Sequence, residues 1–233
     1  MKDERSIRVI PIGIGLWLLV ALLLQAGWHA LQPPPQARAE SLPAPPPTRY
    51  LLPLSLGDPL VLSKALMLWL QNFDDQPGIS LPYRALDYDR VIAWLRTCLN
   101  LDPRSQYPLL AASRLYADIP VPAKQRKMLA FVEQEFLLAP DRRWPWLAHA
   151  VFIAKHRLGD LKLAHRYARE LATYATGPKV PDWAKQMDIF VLEDMGAVED
   201  AKILLGGLIE SGAIQDPAEL RFLKQRLKDM QAE

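Results

Sequence analysis

The chain has 233 residues, half of them apolar, and its 28 basic and 26 acidic side chains leave a formal net charge of +2. Basic and acidic residues are interleaved, which argues against the clustered cationic face of a nucleic-acid binder. The single cysteine, Cys98, excludes an internal disulfide and supplies no zinc-ligand spacing, so it reads as a small core residue.

A short head, residues 1–8, carries Lys2, Arg5 and Arg8. Residues 9–31 follow without a formal charge, long enough as one helix to cross a hydrocarbon core of about 30 Å. Trp28 suits an interface position. Gly13 and Gly15 lie inside this stretch, where small residues favour helix packing rather than phosphate binding. Ala37-Arg38-Ala39 has the shape of a signal-cleavage site, but it lies behind Pro33, Pro34 and Pro35, well past the apolar core. The expectation is an uncleaved, single-pass signal-anchor. The basic head sets its orientation, with the N-terminus in the cytoplasm and the bulk in the periplasm of a bacterial-type envelope.

Residues 32–48 form a proline-rich linker that includes Pro43, Pro45, Pro46 and Pro47. Proline favours the extended polyproline conformation, so the linker is expected to act as a semi-rigid spacer of up to about 50 Å.

From residue 49 to 233 the apolar positions recur at three and four, and no segment keeps strand alternation. The spacing predicts helices over 59–73, 88–101, 107–117, 123–138, 145–158, 161–174, 182–194, 198–210 and 217–230. In the last of these, Asp216 serves as cap and Pro217 sits in the first turn. The segments repeat. Leu101-Asp102-Pro103 and Leu138-Ala139-Pro140 close helices 37 residues apart, and Gly159 and Gly196 open turns 37 apart. Val91, Met128, Ala164 and Ala201 follow at intervals of 37, 36 and 37. One hairpin cannot bury its own apolar face, so the hairpins are expected to stack, with the last helix as a cap.

These residues resemble the tetratricopeptide-repeat family. Gly159-Asp160-Leu161 with Ala164, Asp87-Tyr88 leading to Leu101-Asp102-Pro103, and Gly196 with Ala201 follow its turn, small-residue and ending pattern. The family period is about 34, so the connections here are longer, and Met128 in place of a small residue implies looser packing there. The resemblance implies an all-α fold: an N-terminal transmembrane helix followed by an α-solenoid of antiparallel helix pairs. It also implies a concave groove. Carried over position by position, the groove-facing residues are Ser113, Trp146, His149, His156, Arg157, Trp183, Gln186 and Glu193.

The chain lacks a Gly-x-Ser-x-Gly elbow, a His-Glu-x-x-His pair and a phosphate loop. His149 and His156 share a helix face but stand two turns apart, too far to ligate one zinc within one helix. No cofactor and no metal are expected. Asp74-Asp75 lies in a polar loop, and Asp87 with Asp89 opens a helix where negative charge is favourable. Trp144-Pro145-Trp146, preceded by Arg142 and Arg143, is the sharpest local feature. The two indoles either wedge consecutive hairpins apart or anchor a partner. The expectation is therefore a membrane-anchored scaffold or assembly factor, not an enzyme. Its partner would be another protein or peptide, with residues 9–31 in the lipid bilayer. Two alternatives are an envelope hydrolase with acidic residues in the 72–83 loop, and a small accessory subunit acting through its transmembrane helix.

Overall fold

A computed structural model of the chain describes residues 11–32, 39–212, 214 and 216–232. The charged head, Val9, Ile10, Pro33, Pro34, Pro35 and the Ala37-Arg38 pair lie outside the described residues. The chain divides into two units, one made of residues up to 39 with 76–79 and the other of 40–75 with the rest.

In the first unit α1 (Ile12–Leu31) starts directly after Pro11. It is long and apolar enough to cross a membrane, and none of its residues is buried.

The second unit is helical: α2 (Thr48–Leu54), α3 (Pro59–Gln71), α4 (Tyr88–Leu101), α5 (Tyr107–Ala111), α6 (Pro122–Leu138), α7 (Pro140–His156), α8 (Leu161–Tyr174), α9 (Asp182–Lys185), α10 (Met187–Asp194), α11 (Val198–Glu210) and α12 (Pro217–Ala232). Among the described residues the only strands are β1 (Asp75–Gln76) and β2 (Ile79–Ser80), paired around Gly78 at φ 76°.

Local chemistry sets the helix ends. Asp58, Asp87 and Asp160 cap α3, α4 and α8 by accepting from backbone N–H groups two or three residues on. Gly159 ends α7 and Gly196 ends α10, both in the left-handed region, at φ 63° and 75°. Four differences from the expected boundaries stand out. α2 lies in sequence that reads as linker and domain edge, because its Pro47 and Pro53 hide a seven-residue helix. α7 begins at Pro140, five residues early, with Pro145 accommodated inside it. The segment 182–194 is broken at Gln186, whose buried side chain is drawn toward α12. Residues Ala112–Tyr116 continue α5 as a π-helical turn, where the Ser113 hydroxyl donates to the Leu109 carbonyl at 2.8 Å.

The linker expectation needs correction over its second half. Leu42 is buried in the main core. Its carbonyl accepts from the Arg90 guanidinium, and the Trp94 indole donates to the Pro43 carbonyl at 2.8 Å. The carbonyls of Leu42 and Pro43 are thus satisfied by α4 side chains, and this part of the proline-rich segment packs with the helical unit.

Each helix packs mainly on its chain neighbours: α3 on α4, α4 on α6, α6 on α7, α7 on α8, α8 on α10, α10 on α11 and α11 on α12. One core cluster runs from Leu42 to Val191, and a second gathers Ile189, Leu192, Ala201, Leu205, Ile214, Leu223 and Met230. Val91, Met128, Ala164 and Ala201 are all 0 % exposed, so Met128 is as fully buried as the smaller residues of the series.

Polar contacts between helices recur at intervals of 33 to 40 residues. Along α3, α5, α7, α10 and α12 the Tyr107 hydroxyl donates to Gln71, the Trp146 indole to Gln106 at 2.5 Å and the Gln186 amide to Glu219 at 2.8 Å, and Arg226 pairs with Glu193. Along α4, α6 and α8 the pairs are Arg96–Gln134 at 2.9 Å, Lys127–Asp89 and Arg126–Asp160 at 2.6 Å, and Arg166–Glu133 at 3.1 Å.

Candidate functional site

The most distinctive surface is an aromatic cleft of about 540 Å³ where α7, the α9–α10 segment and the π-helical turn after α5 converge. Trp144, Pro145, Trp146, Ala148, His149 and Phe152 come from α7, Trp183 and Met187 from the α9–α10 segment, and Arg114 from the π-helical turn.

The rings are fixed against one another. Trp144 and Trp183 meet edge to face with centroids 5.4 Å apart, and His149 stacks on Phe152 at 5.8 Å. Phe152 also touches His156 at 4.7 Å. Trp146 has its indole N–H engaged by Gln106, which leaves its faces for packing. Trp183 remains 52 % exposed and Phe152 47 % exposed, a large apolar area to leave in water. Burial lowers the proton affinity of His149, and the Arg114 cation adds to the effect, with Asp118 working against it. His149 therefore favours the neutral imidazole. The cleft is an apolar, stacking surface with one cation, Arg114, at its edge.

The structure sorts the eight expected groove residues into three groups. Trp146, His149 and Trp183 line the cleft. His156 and Arg157 lie at the end of α7, both exposed, where Arg157 pairs with Asp118 at 3.3 Å. The third group is Ser113, Gln186 and Glu193. Ser113 is 0 % exposed because its hydroxyl turns back onto its own helix, so it faces no groove. Gln186 is buried and tied to Glu219, and Glu193 is held by Arg226, so α12 already covers both.

Sequence reasoning missed Phe152, Arg114 and Met187 as cleft residues. The signal for Phe152 was present: it stands three after His149 and four before His156, on the same helix face. Trp144, expected either to wedge or to anchor, packs on Trp183 and also lines the cleft. Arg143, in contrast, is buried. It forms a 2.9 Å ion pair with Glu135, and its guanidinium also reaches the Glu135 and Pro103 carbonyls.

A second concavity of about 310 Å³ lies between α8, α10 and α11, with His165, Arg169, Asp188 and Asp200 among its lining. No local motif marks it, since its residues come from three helices. Burial raises the proton affinity of Asp188, opposed by its hydrogen bond from the Ile189 N–H and by the His165 and Arg169 charges. In the 72–83 loop, Asp74 stands beside the Tyr83 hydroxyl, whose proton affinity is raised first by burial and then by that carboxylate. Among the described residues, no group of three or more His, Cys, Asp or Glu side chains is arranged to hold a metal ion.

Compared with known proteins, the chain matches no family model, no curated protein and no solved structure.

Proposed function

We propose that this chain is a membrane-anchored helical-repeat scaffold of the tetratricopeptide type, which binds a protein or peptide partner in its aromatic cleft. The observation that carries the binding role is the exposed Trp183 and Phe152 in a cleft whose other rings are locked by packing. Rigid aromatic side chains beside an arginine are the composition of interface hot spots. The repeat reading is supported by four fully buried positions at intervals of 36 or 37, by left-handed glycines at equivalent turns, and by inter-helix contacts 33 to 40 residues apart. In this reading α3, α5, α7 and the α9–α10 segment are the first helices of successive pairs, and the cleft lies on their shared face.

The anchor is α1. The basic head points to a cytoplasmic N-terminus, with the repeat domain on the periplasmic side of the inner membrane. The function is recruitment or assembly within an envelope complex. It proceeds by shape-matched binding, with affinity concentrated in a few aromatic contacts.

The test places a photo-crosslinking amino acid at Trp183, at Phe152 and, on α8, at Lys162, in intact membranes. The expected result is one adduct shared by positions 183 and 152 and absent at 162. No adduct at 183 and 152, or equal adducts at all three, overturns the binding role.

A further inference from the structure

An exposed apolar surface of the helical unit lies at the corner between α2 and α3. Tyr50, Leu52, Leu54, Leu56, Leu60 and Val61 all stand half or more exposed there. The face continues along α3 through Leu68 and Trp69, so α3 is apolar on two sides. Its other side, Ser63, Met67 and Leu70, is buried, and the Ser63 hydroxyl donates to the Cys98 carbonyl of α4 at 2.9 Å.

The tip of the corner is Leu56, 94 % exposed at φ 50°. A leucine in the left-handed region brings its Cβ too close to the following carbonyl oxygen, and a glycine stands next to it at Gly57, φ 90°. The chain thus holds a large apolar side chain outward, in a strained conformation, where water offers it no compensation. Strain of this kind collects at sites that do something.

We propose that the α2–α3 corner dips into the interface of the bilayer that α1 crosses. Four observations favour lipid as the occupant. The corner follows the anchor closely: ten residues separate Leu31 from the docked Leu42, a covalent reach of at most about 40 Å. Residues 48–71 hold three charges, Arg49, Asp58 and Lys64. Asp58 caps α3, accepting from Leu60 and Val61 at 3.1 and 3.2 Å, so the segment carries a net charge of +1. Arg49 lies over the Tyr50 ring at 4.8 Å, and Trp69 stands at the opposite end of the face. Aromatic and cationic groups flanking a leucine-rich centre suit the headgroup boundary. Finally, α2 and α3 together are apolar enough to span a membrane, yet they are bent by 109° and α3 packs on α4 through one face. That geometry fits a wedge lying in the interface better than a second span.

This inference rests on α1 being the anchor, and the experiment separates the two. The full chain is reconstituted in phosphatidylethanolamine–phosphatidylglycerol vesicles with brominated acyl chains. An environment-sensitive nitrobenzoxadiazole label is attached at Leu56→Cys, at Leu19→Cys in α1, or at Lys162→Cys in α8. Cys98 is buried, and burial pushes its thiol up to about 12, so it does not compete for label. Bromolipid is expected to quench positions 19 and 56 by about twofold or more and to leave 162 unchanged. Quenching at 19 with position 56 open to aqueous iodide leaves the anchor intact and overturns the dip. Quenching at 19 with position 56 shielded from both quenchers means that a second copy covers the corner, and this also overturns it. No quenching at 19 overturns the anchor, and the dip as stated with it.

Discussion

The Glu135–Arg143 pair shows how a residue that reads as surface chemistry can be structural. Both side chains are more than nine-tenths buried, and the guanidinium fastens the start of α7 to the end of α6 and to the turn at Pro103. Removing one partner strands the other charge in a low-dielectric site. Arg143→Ala is expected to lower stability by about 3–5 kcal/mol in urea unfolding, far more than the exposed Lys127–Asp89 pair, worth about 0–1 kcal/mol. Glu170 offers a second reading at this scale. Burial, then the neighbouring Glu133 carboxylate and its hydrogen bond, push Glu170 up to about 7, against the opposing Arg166 charge. Because this is above the unfolded value of about 4.5, the folded chain holds a proton that the unfolded chain has lost. Its contribution is complete below about pH 4.5 and disappears as pH rises through about 7. Thermal melts should therefore fall across that window, and Glu170→Gln should flatten the fall. Composition and spacing exposed the apolar series Val91, Met128, Ala164 and Ala201, because burial follows periodicity. They did not expose Ser113 or Gln186, whose burial depends on a π-helical turn and on the docking of α12.

At the scale of elements, turn chemistry was legible wherever it is local. α4, α8 and α11 begin and end where the spacing places them, since Asp87, Asp160, Gly159 and Gly196 write their ends into the sequence. α2 was illegible because its two prolines carry the same signal as the linker around it. Gly159 and Gly196 have open space where a Cβ would stand, so only their left-handed φ resists substitution. Gly159→Ala and Gly196→Ala should each cost about 1–2 kcal/mol in stability, and by similar amounts if the two turns are equivalent. A large difference between them would count against a true repeat. The docking of Leu42 and Pro43 was also beyond sequence reading. Nothing in a proline run announces that Trp94 and Arg90, some fifty residues on, will meet its carbonyls.

At the scale of the molecule, each helix packs mainly on its chain neighbours, and of the two core clusters the C-terminal one is the smaller. Hydrogen exchange should show α11 and α12 opening at lower free energy than α4 to α8. Equal protection throughout would mean a single cooperative unit. For partner binding, Trp183→Ala should weaken affinity by about 2 kcal/mol or more while leaving the melting temperature nearly unchanged, because its ring is half exposed. The helix α10 sits where these properties meet. Val191 belongs to the main core, Ile189 and Leu192 to the C-terminal one, and Met187 at its first turn is on the rim of the cleft. A turn of this short rod about its axis by one residue, about 100°, would carry both inner faces off the clusters they fill. The rod behaves as a shared keel, and whatever steadies its leading edge in the cleft also steadies the tail of the protein.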